Sequence, residues 1–285
     1  MTIGNSCHTI YPLTKIQLTW HTIGPILAQN YTVIAPDNRG SGDSSIPANG
    51  DYSAETVAED LKGILDFLNI TQAYVFSHDK GAGLAAALAV KYRTLVKRVG
   101  FSEYLLPGYG YERFSAPMPN WDVYANWQLA FFSVPDVAEY FISGKEREML
   151  AWYFFHASYS GMEAISHEHL DRYTTSISKP GFLRACFGYF ASATVAADNR
   201  FFNATLRPNP LTQPVLTLGG EASAAPVSFL EQLWGPVGTD VIYDVVPKAG
   251  HWIGRMTSTQ TSPMLHQLTT IEQLTRTPHG LQTGC

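Results

Sequence analysis

Between Ala73 and Val90 the chain reads AYVFSHDKGAGLAAALAV. A β-branched and aromatic run, Tyr74 to Phe76, meets a short turn and then an alanine-rich helical stretch with no spacer between them. That order dictates a strand, a tight turn and a helix. Ser77 stands two places before Asp79 and Gly81 two places after it. Small residues there let the backbone at Asp79 bend sharply enough to leave its side chain free at the carboxyl edge of a sheet. A carboxylate beside a helix N-terminus is stabilised as the anion, so Asp79 is a candidate nucleophile. The competing reading makes Asp79 a simple N-cap.

The segments around this turn alternate between strand and helix patterns. Trp20 to Gln29 reads as a helix with Trp20, Ile23, Ile26 and Leu27 on one side, and it leads into a buried strand over Tyr31–Pro36. Ser53 can cap a helix whose Val57, Leu61, Ile64, Leu65 and Leu68 recur at helical spacing. The helix Gly81–Tyr92 returns to a strand over Val96–Ser102, which ends in Glu103. Strand, crossover helix and strand in succession predict an α/β fold with a doubly wound, mostly parallel sheet.

After Leu106-Pro107-Gly108 the strand pattern stops until about Thr212, and aromatic residues crowd the interval, among them Trp121, Trp127, Phe131, Phe132, Trp152, Tyr153, Tyr189 and Phe190. This reads as a helical lid that serves as both core and cleft wall. The sheet resumes at Pro214–Leu218, and a last strand over Asp240–Val246 is followed by Gly250-His251-Trp252. The expected organisation is therefore a core part over 1–106, a lid over 107–212 and a second core part over 213–285. The tail offers only a modest helix, Pro263–Thr275.

Composition narrows the function classes. With 285 residues, 45% hydrophobic and 15% charged, the chain can bury a sizeable core. A net charge of -5 gives no basic face, so nucleic acid and anionic membranes are poor partners. No apolar run is long enough to span a bilayer, and MTIGNSCHTI lacks the features of a signal peptide. A cytoplasmic protein is the expectation, with a homodimer the one assembly entertained. Cys7, Cys186 and Cys285 are scattered, which argues against disulfides and against a metal site, and no cofactor is expected.

Taken together these residues resemble the α/β-hydrolases, in the epoxide hydrolase and haloalkane dehalogenase-like branch where Asp replaces Ser at the nucleophile elbow. The resemblance rests on Ser77–Gly81, on the loop Pro36-Asp37-Asn38-Arg39-Gly40-Ser41-Gly42-Asp43-Ser44, on Asn126–Leu129 of the first lid helix, and on Gly250-His251-Trp252. It implies that Asp79 is the nucleophile and His251 the general base. Glu103 is the expected acid partner, with Glu221 in reserve, because the other acid position used by such proteins holds Ser223. The oxyanion hole would come from the backbone N–H of Lys80 and of Tyr11. Leaving-group help would come from Trp127, Tyr189 and Tyr153 of the lid, Phe190 standing where a second tyrosine belongs. His78 is expected to pack away from the site. The N-terminus departs from the pattern: about a dozen residues precede the matching Pro12, and the family's first strands have no counterpart. Something must still fill the slot in mid-sheet, so Ser6–Tyr11 is expected to pair there as a short strand.

A carboxylate nucleophile also selects the reaction. Attack on an ester would give a mixed anhydride and reverse quickly. Attack on an epoxide carbon gives a stable alkyl ester that water activated by His251 can cleave. The leading expectation is opening of an epoxide on an apolar small molecule, aromatic or polyketide-sized, such as a secondary metabolite. Two alternatives stay open: a catalytically impaired binding protein, and a carbon–halogen hydrolase.

Overall fold

The computed structural model describes residues 8–10, 17–119, 121–156, 158, 161, 165–224 and 226–253. Six parallel strands form one sheet: β1 (His8–Ile10), β2 (Thr32–Ile34), β3 (Ala73–His78), β4 (Val96–Ser102), β5 (Val215–Gly220) and β6 (Val241–Val246). Their spatial order is β2-β1-β3-β4-β5-β6. β1 fills the mid-sheet slot, pairing on one side with β2 and on the other with β3. Every internal edge is thereby hydrogen-bonded.

Successive strand residues face opposite sides of the sheet, and the two sides have separate cores. Val75 faces α2 (Ala54–Phe67) and α3 (Gly81–Lys91), together with Val99, Phe101 and Val215. Phe76 faces the other way and packs with Trp20, Ile23, Leu27, Leu216 and Leu218. α3 is buried nearly all round, from Gly81 to Ala89, which is why its sequence is small and apolar rather than striped.

The helix expected over Trp20–Gln29 is broken instead. A 3-10 turn over Gln17–Trp20 is followed by a single α turn, α1 (Gly24–Leu27). Pro25 explains the break, since it lacks an N–H and can open a helix but not sit inside one. The tail helix expected at Pro263–Thr275 lies outside the described residues.

Among the described residues seven α-helices lie between β4 and β5: α4 (Glu112–Ser115), α5 (Val123–Phe132), α6 (Pro135–Ile142), α7 (Glu146–His156), α8 (His167–Ile177), α9 (Phe182–Gly188) and α10 (Ser192–Thr205). Asp122 caps α5 by accepting from Ala125 N, and Ser166 caps α8 by accepting from His169 N. α11 (Val227–Trp234) then packs Trp234 flat on Phe101 of β4, 4.5 Å between ring centres. The loop at Pro36–Ser44 is a structural anchor: Arg39 grips Asp60 of α2 through two nitrogens at 2.6 and 2.7 Å and donates to the Asp51 carbonyl.

Candidate active site

Three of the site's side chains stand immediately beyond the carboxyl ends of strands, where a parallel sheet leaves a crevice. Asp79 follows β3 with φ +50°, a conformation few residues other than glycine adopt. Glu103 follows β4 and shares the feature, with φ +56°. The bend at Asp79 disposes of the N-cap reading. The cap position of α3 belongs to Lys80, no side chain caps the helix, and the Asp79 Oδ1 atom accepts instead from the N–H of Lys80 at 2.6 Å. Its other oxygen, Oδ2, faces Nε2 of His251 at 3.4 Å and the hydroxyl of Tyr153 at 3.5 Å.

Glu103 is 8% exposed and fully engaged. Oε1 accepts from the N–H of Gly220 at 2.5 Å and of Ala224 at 3.4 Å, and Oε2 from the Ser223 hydroxyl at 2.6 Å. Nδ1 of His251 lies 3.1 Å from the same Oε2. Burial alone would raise the Glu103 pKa. The hydrogen bonds from His251, Ser223 and Gly220 outweigh it and hold the carboxyl below the ordinary range. Close backbone approach makes this possible: a Cβ on Gly220 would come within 2.3 Å of the Gly250 carbonyl oxygen.

His251 sits in the loop after β6. That loop is tied down by Glu221, whose Oε2 accepts the Lys248 N–H at 2.6 Å, and by the Ala222 N–H donating to Ala249. His78 supports it from below. Its Nε2 is 2.6 Å from the His251 carbonyl oxygen and its ring lies 4.8 Å from the His251 ring. A carbonyl can only accept, so Nε2 of His78 carries a hydrogen. Burial and the neighbouring His251 charge push the His78 pKa down to about 4, leaving it neutral. His251 goes the other way. Burial would lower its pKa, but hydrogen bonds and charge from Asp79 and Glu103 prevail and push it up to about 10.

Two cavities meet at this cluster. An open cleft of about 590 Å³ is bordered by Asp79, Glu103 and His251 and walled by side chains such as Tyr111, Phe114, Leu129 and Phe229. A smaller chamber of about 60 Å³ lies beside it, and Asp79, Tyr153 and Phe190 border both.

The structure thus brings Asp79, Glu103, His251, Tyr153 and the Lys80 N–H together. It leaves other expected residues apart. The Tyr189 hydroxyl donates to the Arg39 carbonyl at 2.8 Å and its ring packs on Tyr52, so it borders neither cavity. Trp127 is 40% exposed and packs on Trp152 and Phe131, again outside both cavities. The Glu221 carboxylate is spent on Lys248. Tyr11 lies outside the described residues.

Comparison with known proteins agrees with this architecture. Residues 11–151 match the α/β hydrolase fold family. A soluble epoxide hydrolase of a Corynebacterium species is 29% identical over 237 residues, covering 82% of this chain and 79% of its own. The solved structure of the epoxide hydrolase CorEH superposes with a TM-score of 0.80 at 25% identity, over 95% of this chain and 93% of that one. The Cfl2 protein of Burkholderia cenocepacia gives 0.78 at 27% identity, over 93% and 88%. The chain has the α/β hydrolase fold and is similar to epoxide hydrolases over most of its length.

Three contacts of the site have no signature in the local sequence. Ser223, which cannot serve as the acid, donates a hydrogen bond to Glu103. His78 does pack, but against His251 itself. The Lys80 side chain runs under the cleft, its Nζ 3.8 Å from Asp198 Oδ2 on α10 and over the rings of Tyr104, Tyr111 and Phe190. Burial lowers the Lys80 pKa and raises that of Asp198, each resisted by the other's charge. Nothing in the local sequence announces Asp198. Among the described residues no group of three or more His, Cys, Asp or Glu is placed to hold a metal ion, and no helix is long and apolar enough to cross a membrane.

Proposed function

We infer that this hydrolase opens an epoxide on an apolar small molecule through an alkyl ester on Asp79. One observation carries the reading: the two Asp79 oxygens have different partners. Oδ2 faces the cleft, Tyr153 and His251, whereas Oδ1 is held by the Lys80 N–H. Oδ2 is the oxygen placed to attack.

In the first step Oδ2 bonds to an epoxide carbon, the carbon–oxygen bond of the ring breaks, and the ring oxygen takes the Tyr153 hydroxyl hydrogen. Burial and the Asp79 charge hold the Tyr153 pKa well above the usual value, so the hydroxyl keeps its hydrogen until an alkoxide forms beside it. Esterification removes one of the two negative charges that hold His251 protonated. Its pKa therefore falls, and Nε2 becomes able to accept a hydrogen from water. The hydroxide adds to Cγ of Asp79 as Nε2 takes the other hydrogen of that water and becomes imidazolium again; charge collects on Oδ1 where the Lys80 N–H waits, the bond to the diol oxygen breaks, and that oxygen leaves with the hydrogen of the newly added hydroxyl, freeing the Asp79 carboxylate. The hydrogen that Nε2 gave up on esterification passes through solvent to tyrosinate 153.

The test is a single turnover in water enriched with heavy oxygen, followed by mass analysis of the peptide holding Asp79. Label in Asp79 supports the route. Label in the diol and never in the protein overturns it. The carbon–halogen reading has less support, because Trp127, its expected halide partner, is turned to the outer face of the lid.

A further inference from the structure

We propose that the buried ammonium of Lys80, kept charged by Asp198, holds negative charge on Asp79 and so speeds hydrolysis of the ester rather than its formation. The choice of step rests on the ester reading above. The charge assignment rests on the buried pair alone.

Lys80 reaches Asp79 in two ways. Its backbone N–H holds Oδ1 at 2.6 Å. Its side chain, 5% exposed, turns inward to Asp198, and Nζ lies over the rings of Tyr104, Tyr111 and Phe190 at 5.4, 5.2 and 5.7 Å. The same three rings border the open cleft together with Asp79. The cation therefore sits in the wall of the cleft behind aromatic side chains, where a charge is felt more strongly than in water.

The order of the charges gives the pair a direction. Lys80 feels the charges of both Asp198 and Asp79, whereas the charges acting on Asp198 are those of Lys80 and Asp51. The positive end of the pair thus faces Asp79. Tyr104 and Tyr111 add no charge, because burial holds both hydroxyls protonated. Asp198 is a positioning residue: burial works to remove the Lys80 proton, and the Asp198 charge opposes it. A buried ion pair stabilises a fold no better than well-packed apolar residues of the same volume. Its place against the nucleophile asks for a chemical reason.

The two steps differ in what they need from a cation. Ester formation removes the negative charge of Asp79, so stabilising the free carboxylate gives that step no help. Hydrolysis restores the charge, first on Oδ1 of the tetrahedral intermediate and then on the freed carboxylate. A fixed cation favours both.

The experiment compares the full-length protein with Asp198→Asn and with the double variant Lys80→Met/Asp198→Asn. The double variant strands no charge, and both keep a carbonyl oxygen for the Ala54 N–H. Rapid-quench measurement with styrene oxide at pH 8 resolves the two steps. Carbon-13 NMR of labelled aspartate follows the Asp79 carboxyl with no substrate present. In the double variant ester hydrolysis should slow about tenfold, less than the 10²-fold or more typical of losing an oxyanion donor outright, and ester formation should not slow. The titration midpoint of Asp79 should rise by about one unit, the same factor of ten. Asp198→Asn should move both readouts in the same direction. Faster hydrolysis in Asp198→Asn overturns the role given to Asp198. Equal slowing of both steps, or ester turnover with an unmoved midpoint, overturns the proposal. A shifted midpoint with no ester on Asp79 in any of the proteins keeps the cation and rejects the ester reading.

Discussion

Ser223 gives its hydroxyl hydrogen to Glu103 Oε2 at 2.6 Å, the same oxygen that faces Nδ1 of His251 at 3.1 Å. Glu103 can hold His251 in one orientation only if it is itself held, and among the described residues Ser223 is its one side-chain donor besides His251. A hydrogen bond to a charged group contributes about 1.5–3 kcal/mol. Ser223→Ala should therefore slow hydrolysis of the Asp79 ester about tenfold or more, with ester formation much less affected, and Ser223→Thr should restore the rate. Rapid-quench measurement of the two steps separates these outcomes. Equal slowing of both steps would mean that Ser223 only supports the fold.

Tyr153 and Tyr189 should behave oppositely although both are lid tyrosines. Tyr153 has its hydroxyl at Asp79, so Tyr153→Phe should lower the rate of ester formation by about 10²-fold, the order expected for loss of a positioned proton donor. Tyr189 has its hydroxyl on the Arg39 carbonyl. Tyr189→Phe should leave kcat unchanged and cost about 1 kcal/mol of stability, measurable by denaturant titration.

The contrast between these tyrosines marks how far the sequence could be read. Asp79, Glu103 and His251 were legible because each follows a strand whose residue pattern and length are clear, and chain geometry then places all three on one sheet edge. β1 was legible for a different reason: a parallel sheet cannot leave a gap in its middle. The lid was legible only as a class. An aromatic residue on a short helix can face inward or outward with a shift of one position in register, and Tyr189 and Trp127 both fell on the outward side of the cavities. Ser223 and Asp198 were not legible as partners, since their contacts bridge 120 and 118 positions along the chain to Glu103 and Lys80. The helix expected over Trp20–Gln29 fails for a local reason, since Pro25 opens α1 and cannot sit inside a longer helix.

Lys80 and Asp198 form a buried pair that ties the turn after Asp79 to α10, and Asp198 Oδ1 also accepts the Ala54 N–H at the start of α2. Removing one member of a buried pair strands the other's charge and typically costs 3–5 kcal/mol, roughly, whereas replacing both with apolar groups costs much less. Lys80→Met and Asp198→Leu should each lower the melting temperature strongly, and the double variant should recover part of the loss. The deficit should not vanish entirely, because Ala54 N loses its acceptor in Asp198→Leu. Additive losses in the double variant would show that the two charges act independently.

The two packed histidines, His78 and His251, should give the protein opposite pH sensitivities on either side of neutrality. His251 has a folded pKa of about 10 against an ordinary 6.5. A raised pKa on a cationic group means that folding favours the protonated form, so its contribution is fully present below pH 6.5 and is lost as pH rises toward and through 10. His78 has a folded pKa of about 4. Folding disfavours its protonated form, so its contribution is present above pH 6.5 and is lost as pH falls toward 4. The melting temperature should therefore pass through a maximum near pH 6.5 and decline in both directions. His251→Gln should flatten the decline between pH 7 and 9.5, a window chosen because the buried tyrosines titrate above it. His78→Asn should flatten the decline between pH 6.5 and 4. The His251 variant carries a second, chemical signature: with no base to activate water, the Asp79 ester should persist and add the mass of one epoxide molecule to the protein. A His251→Gln protein that keeps the wild-type alkaline slope would show that its imidazole is not held charged between Asp79 and Glu103.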